Sequence, residues 1–88
     1  MTALDDLQAG AHTARAGLDD SLAAVADLDK STEDVAGQFA ALGQESSAQI
    51  LTQGAAVRLA TVQEMLANAQ RELDTFVDDC ERAKGGGG

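Results

Sequence analysis

The chain has no proline, tryptophan or tyrosine, and only two phenylalanines and one cysteine among its 88 residues. Each absence excludes something. Without proline, nothing in the sequence forces a break in a helix. A single cysteine, Cys80, allows no intramolecular disulfide and carries no information about redox compartment. With Phe39 and Phe76 as the only aromatics, there are few large anchors for a ligand pocket. Basic residues are also scarce: six Lys and Arg against fifteen Asp and Glu give a net charge of -9. Nucleic-acid affinity comes largely from Lys and Arg neutralising phosphates, and anionic membrane surfaces attract basic segments. Neither is expected as a partner. No apolar run approaches the ~20 residues of a membrane span. Strand-forming residues never alternate over a useful length, so a sheet is not expected.

What is present is a 3-4 spacing of apolar residues. Leu4, Leu7, Ala11, Ala14, Leu18, Ser21, Val25, Leu28, Thr32, Val35, Phe39 and Leu42 fall on one stripe. Leu59, Val62, Leu66, Ala69, Leu73, Phe76 and Cys80 fall on another. Such spacing places side chains on one face of a helix that needs a partner helix. Residues 4–17 and 18–31 resemble each other at a period of two heptads, as any helix with this spacing does. The charge is uneven. Residues 1–42 carry eight acids against Arg15 and Lys30, whereas residues 43–88 carry seven against Arg58, Arg71, Arg82 and Lys84.

The boundaries follow from capping signals. Thr2-x-x-Asp5 reads as a capping box, and Asp5 and Asp6 suit the positive end of the helix dipole. The stripe continues in phase through the polar run Asp27–Asp34, which predicts one helix over residues 2–42, roughly 60 Å long at ~1.5 Å per residue. Gly43 follows the last stripe residue and suits a left-handed cap, which places the turn at residues 43–46. Ser46-x-x-Gln49 offers a capping box for a second helix over residues 47–84. Arg82 and Lys84 complement its negative end, and Gly85 is expected to end it. Residues 85–88 form a flexible glycine tail, native or a cloning remnant. Ile50 and Leu51 fall off the stripe that Leu59 begins, so a phase change is expected near Gly54.

Catalytic chemistry has little to work with. His12 is the only histidine and faces away from the stripe. Cys80 lies on the stripe and reads as a small core residue, with an interchain disulfide at a symmetric axis as the alternative. Asp5-Asp6, Asp19-Asp20 and Asp78-Asp79 are adjacent pairs whose members point about 100° apart on a helix, so no pair chelates a metal as a unit. Asp78 with Arg82 forms a favourable i,i+4 pair. No phosphate loop, nucleophile elbow or zinc spacing occurs. The expectation is a protein that is not an enzyme, with no metal and no cofactor.

A matched pair of long helices of this size, acidic, with Leu42-Gly43-Gln44 at the turn, resembles the Trp-X-Gly family of small proteins of type VII secretion. The turn glycine is present without a preceding Trp. Phe76 matches the aromatic of that family's C-terminal signal, while Cys80, between Asp79 and Glu81, stands where its acid falls. The resemblance implies a helical hairpin, a protein partner, and export without a signal peptide.

The reading is therefore an all-α, antiparallel two-helix hairpin with a coiled-coil-like seam that completes a four-helix bundle by dimerisation. The seam is assigned to Leu18, Val25, Leu28, Val35, Phe39 and Leu42 against Leu59, Val62, Leu66, Leu73 and Phe76. The partner face is assigned to the apolar residues left over: Leu22, Ile50, Leu51, Met65 and Val77. Gly43 and Ser46 form the turn. The expected function is a protein-protein interaction module, either a small partner or chaperone of the type VII kind or an intracellular structural or regulatory adaptor. The partner is a second copy or a different helical protein. Met1–Asp6 lacks a basic region before an apolar block, so a cytoplasmic location is expected, or export without a signal peptide.

Overall fold

The structure, a computed structural model, describes residues 2–86. The protein is an all-α helical hairpin. Helix α1 spans Ala3–Ala41 without a break. Its return arm consists of α2, Glu45–Gly54, a π-helical turn, Ala55–Leu59, and α3, Ala60–Gly86. The Cα trace extends 69 × 19 × 10 Å, a flat two-helix ribbon.

Local chemistry sets the ends. The Thr2 hydroxyl accepts from the Asp5 N–H at 3.1 Å, and the Asp5 carboxylate accepts from the Thr2 N–H at 3.3 Å. This reciprocal box satisfies two of the helix's orphan donors. At the other end Gly43 has φ +80°, a left-handed conformation that a side chain would strain. It lets the Gln44 N–H reach the Phe39 carbonyl at 2.8 Å and the Gly43 N–H reach the Ala40 carbonyl at 3.0 Å. Those two bonds make a Schellman cap. The second arm then starts at Glu45, with no side-chain cap from Gln44. Ser46, expected to cap it, lies inside the helix, because the glycine turn reverses the chain before Ser46 is reached. The helix also runs through Gly85 to Gly86, past the expected end at Ala83–Lys84. Of the expected glycine tail, Gly87 and Gly88 lie outside the described residues.

The packed stripe on α1 alternates steps of three and four through Leu4, Gln8, Ala11, Arg15, Leu18, Leu22, Val25, Asp29, Thr32, Ala36 and Phe39, all buried or half-buried. The facing stripe runs through Ala48, Leu51, Ala55, Leu59, Gln63, Leu66, Gln70, Leu73, Val77 and Cys80. The core is thin. Its buried apolar residues are Ala11, Ala36 and Cys80, and no large side chain among the described residues is fully buried.

This placement corrects the expected seam. Leu18, Val25, Phe39, Leu59, Leu66 and Leu73 lie in the contact. Leu28, Val35, Leu42, Val62 and Phe76 do not: they are 53%, 42%, 74%, 39% and 40% exposed. Their places are taken by Leu22, Leu51 and Val77, assigned to a partner face but half-buried inside the hairpin. The two helices meet one column further round than the most apolar stripe. Gln8, Arg15 and Gln70 enter the contact where the opposite arm supplies partners for them.

The π turn has a clear consequence for the second arm. Unbroken α-helix beyond Ala55 would point Arg58, Val62, Met65, Ala69, Glu72, Phe76 and Asp79 at α1, three of them charged. One inserted residue in a π turn rotates the following helix. Leu59, Leu66, Leu73 and Cys80 then face α1 instead. The same insertion brings Leu51 onto the stripe shared with Leu59.

Three outcomes test this packing. Leu66→Asp introduces a charge into the half-buried contact and is expected to cost about 3 kcal/mol, enough to abolish most helicity by circular dichroism. Met65→Asp, at a site 63% exposed, is expected to leave helicity unchanged. Deleting Ala56 removes the extra residue of the π turn while keeping Leu51 and Leu59 in register. That variant is expected to stay fully helical with an equal or higher melting midpoint.

Candidate interaction surface

The columns on either side of the packed stripe differ sharply. On one edge, polar residues of the stripe are bonded across the hairpin. Gln8 Nε2 donates to Glu81 Oε1 at 2.6 Å, and Lys84 Nζ lies 2.5 Å from Asp5 Oδ1 and also donates to the Gln8 side-chain oxygen Oε1. Arg15 Nε donates to Asp74 Oδ1 at 2.7 Å, with Asp19 3.8 Å from the same guanidinium. Gln70 Nε2 donates to Asp19 Oδ1. This edge is a ladder of exposed ion pairs and amides near the open end. Such pairs are individually weak, but they fix which edge faces which and hold the arms in register.

The other edge carries no charge on α1. Its flanking column is Leu7, Ala14, Ser21, Leu28, Val35 and Leu42, one residue every seven, and the next column outwards is Ala3, Gly10, Gly17, Ala24, Ser31 and Gln38. On the return arm the matching column is Val62, Ala69, Phe76 and Ala83. Leu7, Leu28, Val35, Leu42, Val62 and Phe76 on this edge are each 39% or more exposed. The hairpin is thus a ribbon with one polar edge and one uncharged, largely apolar edge. A row of this length exceeds the isolated apolar residues common on a monomer surface.

Near the π turn this apolar edge opens into a shallow notch of about 230 Å³, lined by Leu28, Thr32, Ile50, Leu51, Gly54, Ala55, Arg58 and Leu59. Two further hollows continue it, one along Val35 and one along Val57. The notch is open to solvent and smaller than the 300–1,000 Å³ in which small ligands are usually enclosed. Arg58 stands at its rim. Among the described residues Arg15, Arg82 and Lys84 form ion pairs, and Arg58 forms none.

Of the residues assigned to a partner face, Ile50 and Met65 are exposed, at 69% and 63%. Ile50 lines the notch, and Met65 lies one column further out. Leu22, Leu51 and Val77 belong to the hairpin contact instead. The flanking column of α1 is exposed rather than part of the seam to which its residues Leu28, Val35 and Leu42 are assigned by periodicity. Its period of seven, with no charge at any step, was the available signal. His12 is exposed on the polar edge, and Cys80 is buried at 3% exposure. Among the described residues no helix is long and apolar enough to cross a membrane.

No family model, no curated protein and no solved structure matches the chain.

The ladder at the open end has a definite pH signature. The hydrogen bond from Lys84 holds the Asp5 carboxyl below its ordinary 3.8, helped by the capping contacts with Thr2. The hydrogen bond to Asp5 likewise raises the Lys84 ammonium above 10.5. A lowered carboxyl contributes stability above its unfolded value and loses it as pH falls through the folded value. A raised ammonium contributes below its unfolded value and loses it as pH rises through the folded one. The melting midpoint of the parent is therefore expected to exceed that of Lys84→Ala at pH 7. The gap should narrow as pH falls below 3.8, vanish only below the lowered folded value of Asp5, and shrink in 1 M salt, as thermal melts followed by circular dichroism would show.

Proposed function

We propose that the protein is a non-enzymatic interaction module, a helical hairpin that docks on another helical protein surface through its uncharged edge. The observation that carries this reading is how much surface the hairpin leaves uncovered. It exposes 6109 Å², whereas a compact monomer of 9.0 kDa exposes about 4,900 Å². The excess of about 1,200 Å² is comparable with what one partner contributes to a stable protein interface. The surplus apolar area lies on the Leu7–Leu42 column and its Val62–Phe76 counterpart. A bundle completed by one or two further helices would cover both columns at once.

Two settings fit this module. In one it is a small export partner or chaperone, as the resemblance to the Trp-X-Gly family suggests. In the other it is an adaptor that stays inside the cell. Recovery from culture supernatant of cells with an active type VII system supports the first, and retention in the same cells supports the second.

The docking edge itself is tested by charge. Leu28→Glu with Val35→Glu is expected to abolish association with any helical partner, self or other, by at least tenfold in Kd. Ala26→Glu with Ala40→Glu, on the opposite edge, is expected to leave association unchanged. Equal effects of the two pairs, measured by sedimentation, would remove the uncharged edge as the docking surface.

A further inference from the structure

The occupant of this edge can be narrowed, on the footing that the edge is a docking surface. We infer that it receives a second copy of the chain, docked turn over open end, with Phe76 of each copy seated in the notch of the other and Glu72 reaching Arg58.

Four observations converge on this pairing. The first is chemical. The notch is apolar, with one cation at its rim that has no partner within the hairpin. Its complement is a bulky apolar side chain with a carboxylate one helical turn away. Phe76, the exposed aromatic of the described residues, has Glu72 four positions before it, and positions four apart lie on one helix face. Aromatic anchors in pockets beside a charge are the usual energetic centres of interfaces.

The second is positional. At ~1.5 Å per residue, Leu51 lies about 12 Å from Gly43 along its arm and Ala55 about 18 Å. Phe76 lies about 12 Å, and Glu72 about 18 Å, from Lys84 at the open end. Two ribbons stacked antiparallel therefore bring Phe76 over Leu51 and Glu72 over Ala55, in the same order. Arg58 is one turn further along, within reach of its own long side chain. A two-fold axis in the plane between the faces lays second arm on second arm, as both contacts need, and generates each of them twice.

The third is area. The ribbon spans 69 × 19 Å in this plane, so stacking hides about 1,000 Å² on each copy, and the pair reaches the upper end of standard interfaces. The fourth is electrostatic. Each copy carries a net charge of -9, yet the two outermost columns of α1 on this edge hold no charge. Two acidic chains can approach along this edge without placing α1's like charges face to face. The notch is too open to enclose a small molecule, which favours a side chain from another helix.

The test is sedimentation equilibrium of the full chain and of surface variants, with circular dichroism on the same samples. A parent dimer is expected. Arg58→Glu, at an exposed position, should weaken it at least tenfold, with helicity equal to the parent's once the variant is concentrated enough to dimerise. Phe76→Ala should do the same. Arg58→Glu combined with Glu72→Arg should restore the parent Kd, which simple loss of packing could not do. A dimer that ignores Arg58→Glu and Phe76→Ala, or that is not rescued by the charge swap, overturns the pairing while leaving the docking edge intact. A partly helical monomer at 100 µM overturns the second copy as occupant and leaves a different protein for the edge. A monomer that is fully helical and melts cooperatively overturns both.

Discussion

Two helices packed along their length shield each other on one stripe only, and the rest of this molecule depends on how little that stripe covers. Ala11, Ala36 and Cys80 are its buried apolar residues. Alanine and cysteine remove little surface from water, and apolar burial stabilises by roughly 25 cal/mol per Å². A core of this size is a weak counterweight to the ordering of two long helices. The exposed leucines of one edge lie where the proposed partner would pack.

The distribution of polar residues follows from the same constraint. Gln8, Arg15 and Asp29 occupy positions in the contact that a self-sufficient hairpin would fill with leucine. On the side where Arg15 meets Asp74 and Lys84 meets Asp5, those residues fix register and direction at little gain in stability. On the other side the leucines and valines are left at the rim. A π turn in the second arm brings Leu59, Leu66, Leu73 and Cys80 into the contact, and the same turn places Arg58 beside Leu28 and Leu51. One local insertion thus builds both the internal contact and the notch.

Much of the architecture was legible in the chain. The absence of proline, the 3-4 spacing, Thr2 with Asp5, and Gly43 each have a direct physical reading, and the hairpin is their sum. The choice between two neighbouring columns was not legible. Leu28, Val35 and Phe76 are more apolar than Arg15, Asp29 and Gln70, and periodicity alone favours the more apolar stripe. For Arg15 and Gln70, as for Gln8, cross-hairpin partners decide otherwise, and those partners lie 51 to 76 positions apart in sequence. The phase change near Gly54 could be read from Ile50 and Leu51, but its form as a π turn, and the groove it opens, depend on backbone geometry. The exposure of Leu28, Val35 and Leu42 was hidden for the same reason: periodicity places these residues on the seam.

Whether the isolated hairpin is an incomplete packing unit is read from helix content against molar mass, with circular dichroism and light scattering on one dilution series. An incomplete unit of 9.0 kDa is partly helical and melts broadly at the dilute end, and its helicity rises as mass increases. A 9.0 kDa monomer with full helix content and a sharp melt at every concentration would contradict it.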